Sequence, residues 1–244
     1  MRTEIIDPPH FASEVADELI ALFDEVLSEK SRCTVALCGG STPGEVYRAL
    51  SHPPRSSAIK WNKIDFFLGD ERFVPHTDDR SNYLMVQQTM IHNLTGSKPQ
   101  VYPVNDKSPD VKQAAFEYQY LIKKVVPSNP DGIPCFDIIL LGIGEDGHTA
   151  SLFPNDTAVN DKSAICLPVI HPTDGTQRVT FSVDLIVAAN RIIYLVKGKS
   201  KANIAKAVIA GSESINHYPA RLFTLVSDKT TFFLDSMAAS LMHS

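Results

Sequence analysis

A carboxylate and an imidazole lie close together just after an apolar segment in the middle of the chain. Asp146 and His148 follow the run Phe136 to Leu141, which is apolar and β-branched apart from one aspartate. Such a run is typical of a strand that is buried on both faces of a parallel sheet. Open α/β sheets place their ligands at the carboxyl ends of such strands. The order of these residues therefore predicts an active site that contains Asp146 and His148.

Glycines shape the connection between this strand and the two side chains. Gly142, Gly144 and Gly147 allow the chain to turn sharply where larger side chains would clash. We expect a short helix to begin near His148. Asp146 is then either the cap of that helix or a member of the active site, and the two interpretations are compatible.

A second glycine-rich segment has the composition of an anion site. Gly39 and Gly40 follow a short apolar strand and permit a tight turn. Ser41 or Thr42 is suited to cap a helix, and Pro43 fits the first helical position. The free N–H groups at the start of that helix favour a phosphate. The segment matches neither a P-loop nor the dinucleotide-binding fingerprint. A well-capped helix start without a ligand explains the same residues, so this motif alone leaves both interpretations open.

Charged residues follow or precede other predicted strands. Asp70 and Arg72 come directly after the apolar run at residues 64–68. Arg178 precedes a β-branched run, and Lys201 opens a helix just after a strand. Most arginine and lysine side chains are exposed at the protein surface and have no functional role. Because these residues occur at the ends of separate strands, we expect them to point at one rim of the sheet and to supply positive charge to an anion.

The elements that must position these residues alternate along the chain. Apolar residues at three- and four-residue spacing predict helices over residues 11–30, 43–51, 81–94, 109–126, 200–210 and 236–243. Apolar runs predict strands over residues 34–38, 64–68, 136–141, 191–196 and 231–234. Two β-rich pieces within residues 164–184 predict a small antiparallel excursion at the sheet edge. We therefore predict an α/β fold in a single domain, residues 1–244, with a mostly parallel, Rossmann-like sheet flanked by helices.

Composition narrows the class of protein. The chain has 244 residues, of which 43% are hydrophobic, and its formal net charge is −5 without a lysine or arginine run. This charge argues against a nucleic-acid-binding surface. The four cysteines have no zinc-type spacing, so we expect buried, reduced thiols. The N-terminus is unlike a signal peptide, and no segment approaches transmembrane length. We expect a soluble cytoplasmic protein, a monomer or a small homo-oligomer, with no nucleic-acid or membrane partner.

Taken together, these segments resemble the 6-phosphogluconolactonases of the pentose phosphate pathway. The resemblance is carried in order by GGSTP at 39–43, GDERFVP at 69–75, DDRSNY at 78–83, GIGEDGHTASLFP at 142–154, RVT at 178–180 and GKSKA at 198–202. It implies a fold like that of glucosamine-6-phosphate deaminase and ribose-5-phosphate isomerase. It also implies hydrolysis of 6-phosphogluconolactone, a phosphorylated sugar lactone, to 6-phosphogluconate with no metal and no other cofactor.

The resemblance also implies roles for individual residues. His148 corresponds to the general base, and Asp146, Asp70 and Arg72 accompany it in the pocket. The substrate phosphate is expected near Gly39, Gly40, Ser41, Thr42, Arg178 and Lys201. A lactone carbonyl is already electrophilic, so its hydrolysis needs mainly an activated water and stabilisation of the oxyanion. A helix start at His148 would disfavour the imidazolium and Asp146 would favour it, and the sequence leaves open which effect prevails.

Two other functions fit part of the same pattern. Glucosamine-6-phosphate deaminases resemble this chain at the D-G-H turn, but they carry an acidic residue five positions after the histidine. Phe153 occupies that position here, and an apolar side chain cannot move a proton. A non-catalytic sugar-phosphate-binding module is the other alternative. The residues before the first motif supply only one helix, too little for a helix-turn-helix, and the pair Asp146 and His148 argues for chemistry.

Overall fold

A parallel sheet forms the centre of the molecule. The computed structural model describes residues 1–242. The strands are β1 (Arg2–Ile6), β2 (Cys33–Leu37), β3 (Ile64–Leu68), β4 (Asp70–Arg72), β5 (Gln100–Tyr102), β6 (Ile138–Leu141), β7 (Cys166–Ile170), β8 (Gln177–Phe181), β9 (Arg191–Val196) and β10 (Thr230–Asp235). Within the described residues, seven of them pair in parallel in the order β1-β10-β9-β6-β2-β3-β5. The predicted class, a mostly parallel α/β sheet, is confirmed.

Helices cover both faces of this sheet. They are α1 (Phe11–Glu29), α2 (Ser41–Ser51), α3 (Arg55–Ala58), α4 (Asn82–Thr89), α5 (Val111–Val125), α6 (Val183–Ala188) and α7 (Ala202–Ala210), with 3₁₀ helices at 61–63, 91–93, 157–160, 199–201, 219–225 and 227–229. Across residues 1–242, none of the helices has the length and apolar character needed to cross a membrane.

Successive residues of each central strand pack into two different apolar clusters, one on each face of the sheet. In β6, Ile138 and Leu140 join one apolar cluster, whereas Ile139 and Leu141 join the other. The first cluster also contains buried residues of α1, α2 and α4, and the second contains buried residues of α5, α6 and α7. Successive side chains of a strand point to opposite faces. A continuous apolar run is therefore what a sheet covered on both faces requires.

A smaller antiparallel sheet extends from the carboxyl end of β3. Its order is β4-β8-β7, and both pairings are antiparallel. The excursion predicted within residues 164–184 is confirmed as β7 and β8. Strand β4 is not among the predicted strands, because Asp70–Arg72 is short and charged and lacks an apolar pattern. This strand brings Asp70 and Arg72 beside β8, which carries Arg178.

The strand order reverses between β2 and β6. The chain runs from β2 outward through β3 and β5 on one side, and from β6 outward through β9 and β10 on the other. Helices that follow such diverging strands leave a crevice at their carboxyl ends, where open α/β sheets bind ligands. The segments that follow β2 and β6 are the two glycine-rich motifs. Both motifs thus lie at the carboxyl ends of central strands, as their order in the sequence predicted.

Most predicted elements are present, with corrections at two places. Residues 236–242 form turns instead of the helix predicted over 236–243, and residue 243 lies outside the described residues. The Oδ1 atom of Asp235 accepts hydrogen bonds from the N–H groups of both Ala238 and Gly198, which favours a capped turn over a regular helix. The short helix expected near His148 is also absent from the described chain, and turns take its place. Of the cysteines, all free, three are buried and Cys135 is half-buried.

Candidate active site

A cavity of about 300 Å³ opens at the carboxyl ends of β2 and β6. The small antiparallel sheet and the start of α7 complete its walls. Several of the predicted site residues line it together: Gly39, Gly40, Asp70, Arg72, His148, Arg178 and Lys201. Ser41, Thr42 and Asp146 lie outside this lining. The fold therefore gathers charged or titratable side chains from four separate chain segments, at residues 70–72, 145–148, 178 and 201.

A tight turn, not a helix, presents His148 to the cavity. The N–H of Gly144 donates to the carbonyl of His148 at 2.9 Å, and the N–H of Gly147 donates to the carbonyl of Gly144 at 3.0 Å. A Cβ at Gly144 would lie 2.1 Å from Nδ1 of His148, so only glycine fits there. Gly147 has a φ of 87°, in the left-handed region that favours glycine. These bonds close the turn, and the effect expected of a helix dipole on His148 does not apply.

Asp146 holds the imidazole of His148 from behind. Its Oδ1 lies 2.6 Å from Nδ1 of His148 and also accepts the backbone N–H of His148 at 3.1 Å. Burial raises the pKa of Asp146, but the hydrogen bonds and positive charge of His148 outweigh it and lower that pKa to about 2. The carboxylate is therefore ionised near neutral pH and can only accept, which places the proton on Nδ1. Within residues 1–242, Nε2 has no hydrogen-bond partner and is free to accept a proton.

The Gly39–Gly40 segment leads directly into the first turn of α2. Gly40 is the N-cap with a φ of 111°, and no side chain caps this helix. The predicted caps Ser41 and Thr42 are thus wrong, because α2 already begins at Ser41, and Pro43 takes the third helical position. The first N–H groups of a helix lack partners within it. The backbone of Gly40, Ser41 and Thr42 thus offers donors and the positive end of a helix dipole to an anion.

Basic side chains face the same cavity. Lys201 donates from Nζ to the carbonyl of Ile143 at 2.8 Å, which fixes its ammonium beside the turn that carries His148. Arg178 is only 7% exposed, and burial lowers its pKa while the charge of Asp70 raises it. Within the described part of the chain, the Nε atoms of Arg72 and Arg178 are buried without a hydrogen-bond partner. Buried donors without partners are rare, and an anion in the cavity would provide acceptors.

A hydrogen-bond network holds Asp70 in place. Ser151 donates from Oγ to Oδ2 of Asp70 at 2.6 Å, and the amide of Asn82 donates to the backbone carbonyl of Asp70 at 2.9 Å. Asn82 and Glu145 also line the cavity, although neither is among the site residues predicted from the sequence. Asn82 belongs to the DDRSNY motif and Glu145 to the GIGEDGHTASLFP motif, so the motifs that carry the resemblance contain both residues.

Phe153 packs behind His148 and does not line the cavity. Its ring centroid lies 5.1 Å from that of His148 and 4.9 Å from that of His171. The guanidinium carbon of Arg178 lies 5.6 Å from the same ring centroid. Phe153 is 1% exposed, so it separates the imidazole from solvent on that side. No carboxylate is therefore available at this position in the described structure.

The chain is similar to known proteins along most of its length. The family model described as glucosamine-6-phosphate isomerases/6-phosphogluconolactonase matches residues 6–232. A 6-phosphogluconolactonase of Treponema pallidum is 37% identical over 198 residues, which cover 81% of this chain and 80% of the relative. One of Haemophilus influenzae is 33% identical over 208 residues, which cover 85% and 87%. The solved structure of a 6-phosphogluconolactonase from Trypanosoma brucei superimposes with a TM-score of 0.86 at 25% identity, over 98% of this chain and 97% of that one.

Proposed function

The chain belongs to the glucosamine-6-phosphate isomerase/6-phosphogluconolactonase family, and we propose that it hydrolyses 6-phosphogluconolactone to 6-phosphogluconate in the pentose phosphate pathway. The observation that carries this proposal is the pair of Asp146 and His148, 2.6 Å apart, beside a cavity with basic walls. An anionic lactone needs one group to activate water and others to bind its phosphate. The two requirements are met by separate parts of this cavity.

In the proposed mechanism, His148 is the general base. Its Nε2 removes a proton from water while the water oxygen attacks the C1 carbonyl carbon, which gives a tetrahedral oxyanion. Asp146 keeps the other ring proton on Nδ1 and stabilises the imidazolium that forms. When the intermediate collapses, the bond between C1 and the ring oxygen breaks, and the imidazolium returns the proton to that oxygen. Water is consumed, and the acid and hydroxyl of the open product account for all atoms.

The remaining cavity residues bind and polarise the substrate in this proposal. The N–H groups around Gly40 and the side chains of Arg178 and Lys201 bind the phosphate, because each offers a donor or positive charge. Arg72 supplies positive charge near the oxyanion, and Asp70 fixes the cavity wall on which Arg72 lies. Positive groups that are oriented before the reaction stabilise developing negative charge without reorganisation.

The family name also covers an isomerase, so the two activities must be separated. Ring opening and loss of ammonia require proton transfers that Phe153 cannot perform. The relatives described above are named as lactonases. Hydrolysis of the lactone is therefore the function that both the site and the relatives support.

One assay tests this assignment directly. Purified protein is given freshly generated 6-phosphogluconolactone, and acid release is followed above the spontaneous rate. A parallel reaction with glucosamine 6-phosphate measures ammonia. We expect rapid lactone hydrolysis and no ammonia release even at high enzyme concentration. Ammonia release at a rate comparable to lactone hydrolysis would overturn the assignment.

We also propose that residues 1–244 form one domain and that the protein acts in the cytoplasm as a monomer or a small homo-oligomer. Both apolar clusters share the same central sheet, which supports the single domain. The cellular location and the oligomeric state stay predictions from the sequence.

A further inference from the structure

A buried serine hydroxyl lies between two opposite charges at the edge of the cavity. Ser151 donates from Oγ to Oδ2 of Asp70 at 2.6 Å. The Nη1 atom of Arg178 donates to the same Oγ at 3.5 Å. Ser151 is 0% exposed, whereas Asp70 and Arg178 are each 7% exposed. A hydroxyl has one proton and accepting lone pairs, so Ser151 can serve both neighbours at once.

The two charges do not form an ion pair with each other. Within residues 1–242, the only ion pair of Arg178 is with Asp174, at 3.8 Å, and Asp174 is half-exposed. Opposite charges attract strongly where water is scarce, and arginine and carboxylate readily form two parallel hydrogen bonds. Such a pair would occupy donors of Arg178 that a ligand could otherwise use. In the described structure, the buried Nε of Arg178 has no hydrogen-bond partner.

The serine is held in this position from the opposite side. Its backbone N–H donates to Oγ1 of Thr180 at 3.1 Å. Thr180 is the cross-strand partner of Asp70 in the small antiparallel sheet. The side-chain amide of Asn82 donates to Oδ1 of Asp70 at 3.4 Å, which is the carboxylate oxygen that Ser151 does not contact. The separation of Asp70 from Arg178 is therefore built into several elements.

We propose that Ser151 is a positioning residue that keeps Asp70 and Arg178 apart, so that the guanidinium stays available to an anionic substrate group. Ser151 does not touch the substrate in this scheme, since it is fully buried and outside the cavity lining. It acts by giving Asp70 a hydrogen-bond donor other than Arg178. This inference rests on the proposed function only in assigning Arg178 to binding of the phosphate.

The test compares Ser151→Ala with the control Ser182→Ala. Ser182 is another fully buried serine, whose hydroxyl caps α6 by accepting the N–H of Leu185 at 3.3 Å. We expect Ser151→Ala to let Asp70 pair with Arg178. The KM for the lactone and the inhibition constant of inorganic phosphate should then rise about tenfold, the equivalent of about 1.4 kcal/mol, with a much smaller change in kcat. Ser182→Ala should lower stability without changing phosphate affinity.

Repeating the substitution in an Asp70→Asn variant separates this positioning role from a general structural role of Ser151. In Asp70→Asn no carboxylate competes for Arg178, so adding Ser151→Ala should change the affinity for inorganic phosphate little. Unchanged affinity in Ser151→Ala, or an equal loss in the Asp70→Asn background, would overturn the proposal. If Ser151→Ala does not fold, Ser151→Cys replaces it. Its thiol is a weak and somewhat larger donor, so a smaller loss in the same direction is expected, and no change would count against the proposal.

The outcomes also separate this inference from the proposed function. Phosphate binding is measured without turnover, so a wild-type protein that binds phosphate but does not hydrolyse the lactone contradicts only the proposed function. A wild-type protein that hydrolyses the lactone, together with serine variants that bind phosphate equally well, contradicts only the role of Ser151.

Discussion

Arg72 and Arg178 are direct cross-strand partners in the small antiparallel sheet. Like charges placed opposite each other on neighbouring strands destabilise a sheet. Both side chains line the same cavity, and in the described structure each has a buried Nε without a hydrogen-bond partner. A bound anion removes the repulsion and satisfies these donors. This wall of the cavity therefore combines positive charge with unpaired donors, which is the environment that the proposed anionic substrate requires.

The first prediction concerns this anion site. Arg178→Ala and Lys201→Ala should each raise KM by about 10- to 150-fold, because a hydrogen bond to a charged group contributes roughly 1.5 to 3 kcal/mol. The phosphate is present in both the ground state and the transition state, so kcat should change much less. Steady-state kinetics with the phosphorylated lactone measures both constants.

Lys199→Ala is the matched control for this experiment. Lys199 is exposed, lies in the same 3₁₀ turn as Lys201, and does not line the cavity. The KM of the Lys199→Ala variant should stay near that of the wild type. A loss of kcat alone in Arg178→Ala or Lys201→Ala would show that these residues act on the reacting carbonyl and not on the phosphate.

The second prediction tests the general base. His148→Ala should lower kcat by about 10²- to 10⁴-fold with little change in KM, which is the usual contribution of a general base. His92→Ala, a change at an exposed histidine outside the cavity, should leave kcat unchanged. The spontaneous hydrolysis of the lactone must be subtracted in each case. Near-normal turnover by folded His148→Ala protein would contradict the assignment.

The third prediction concerns stability at acid pH. The pKa of Asp146 is about 2 in the folded protein against an ordinary value of 3.8. A carboxylate with a lowered pKa contributes stability above its unfolded pKa, and this contribution is lost as the pH falls through the folded pKa. Wild type should therefore lose stability relative to Asp146→Asn between about pH 4 and about pH 2.

The size of that effect is limited by solvent. The Asp146 side chain is 48% exposed, so its contribution should stay below about 1 kcal/mol, as for other exposed pairs. Urea unfolding of both proteins at several pH values within this range measures the difference. A difference that is independent of pH would show that the contact with His148 does not shift the titration of Asp146.

The fourth prediction tests the turn that carries His148. Gly147→Ala should lower kcat at least about tenfold, because an L-residue with positive φ costs roughly 1–2 kcal/mol and the new Cβ would lie 2.4 Å from the Tyr218 ring. Gly175→Ala is the control, since Gly175 also has positive φ, 70°, but its Cβ would meet no atom within 4 Å. Equal kinetics in the two variants would show that the contact with Tyr218 does not position the turn.

Much of the architecture could be predicted because the signals are local. The apolar run that became β6 and the helical spacing that became α1 reflect burial on two faces and on one face, respectively. Both patterns are set by the periodicity of the backbone. Glycine and charge at the ends of strands located the cavity, because parallel strands end at a common edge. The resemblance to known lactonases supplied the chemistry that these patterns leave unspecified.

Local patterns failed where distant segments decide the conformation. Residues after His148 form turns and not a helix, and the turn that carries His148 is held by a hydrogen bond from the N–H of Ala220 to the carbonyl of Gly147 at 2.9 Å. Residues 236–242 likewise turn around Asp235, which also accepts the N–H of Gly198. No periodicity near either segment encodes such partners, since they lie far away in the sequence.

The sequence by itself determined the class of the fold and the strand ends at which glycine and charged residues occur. Those properties depend on residue types and on spacing within single elements. Only the tertiary structure decided that Arg72 lies opposite Arg178, that Ser151 stands between Asp70 and Arg178, and that Ser41 and Thr42 contribute backbone and not capping side chains. These relationships depend on strand register and on contacts between remote segments, which are fixed only when the sheets and helices pack together.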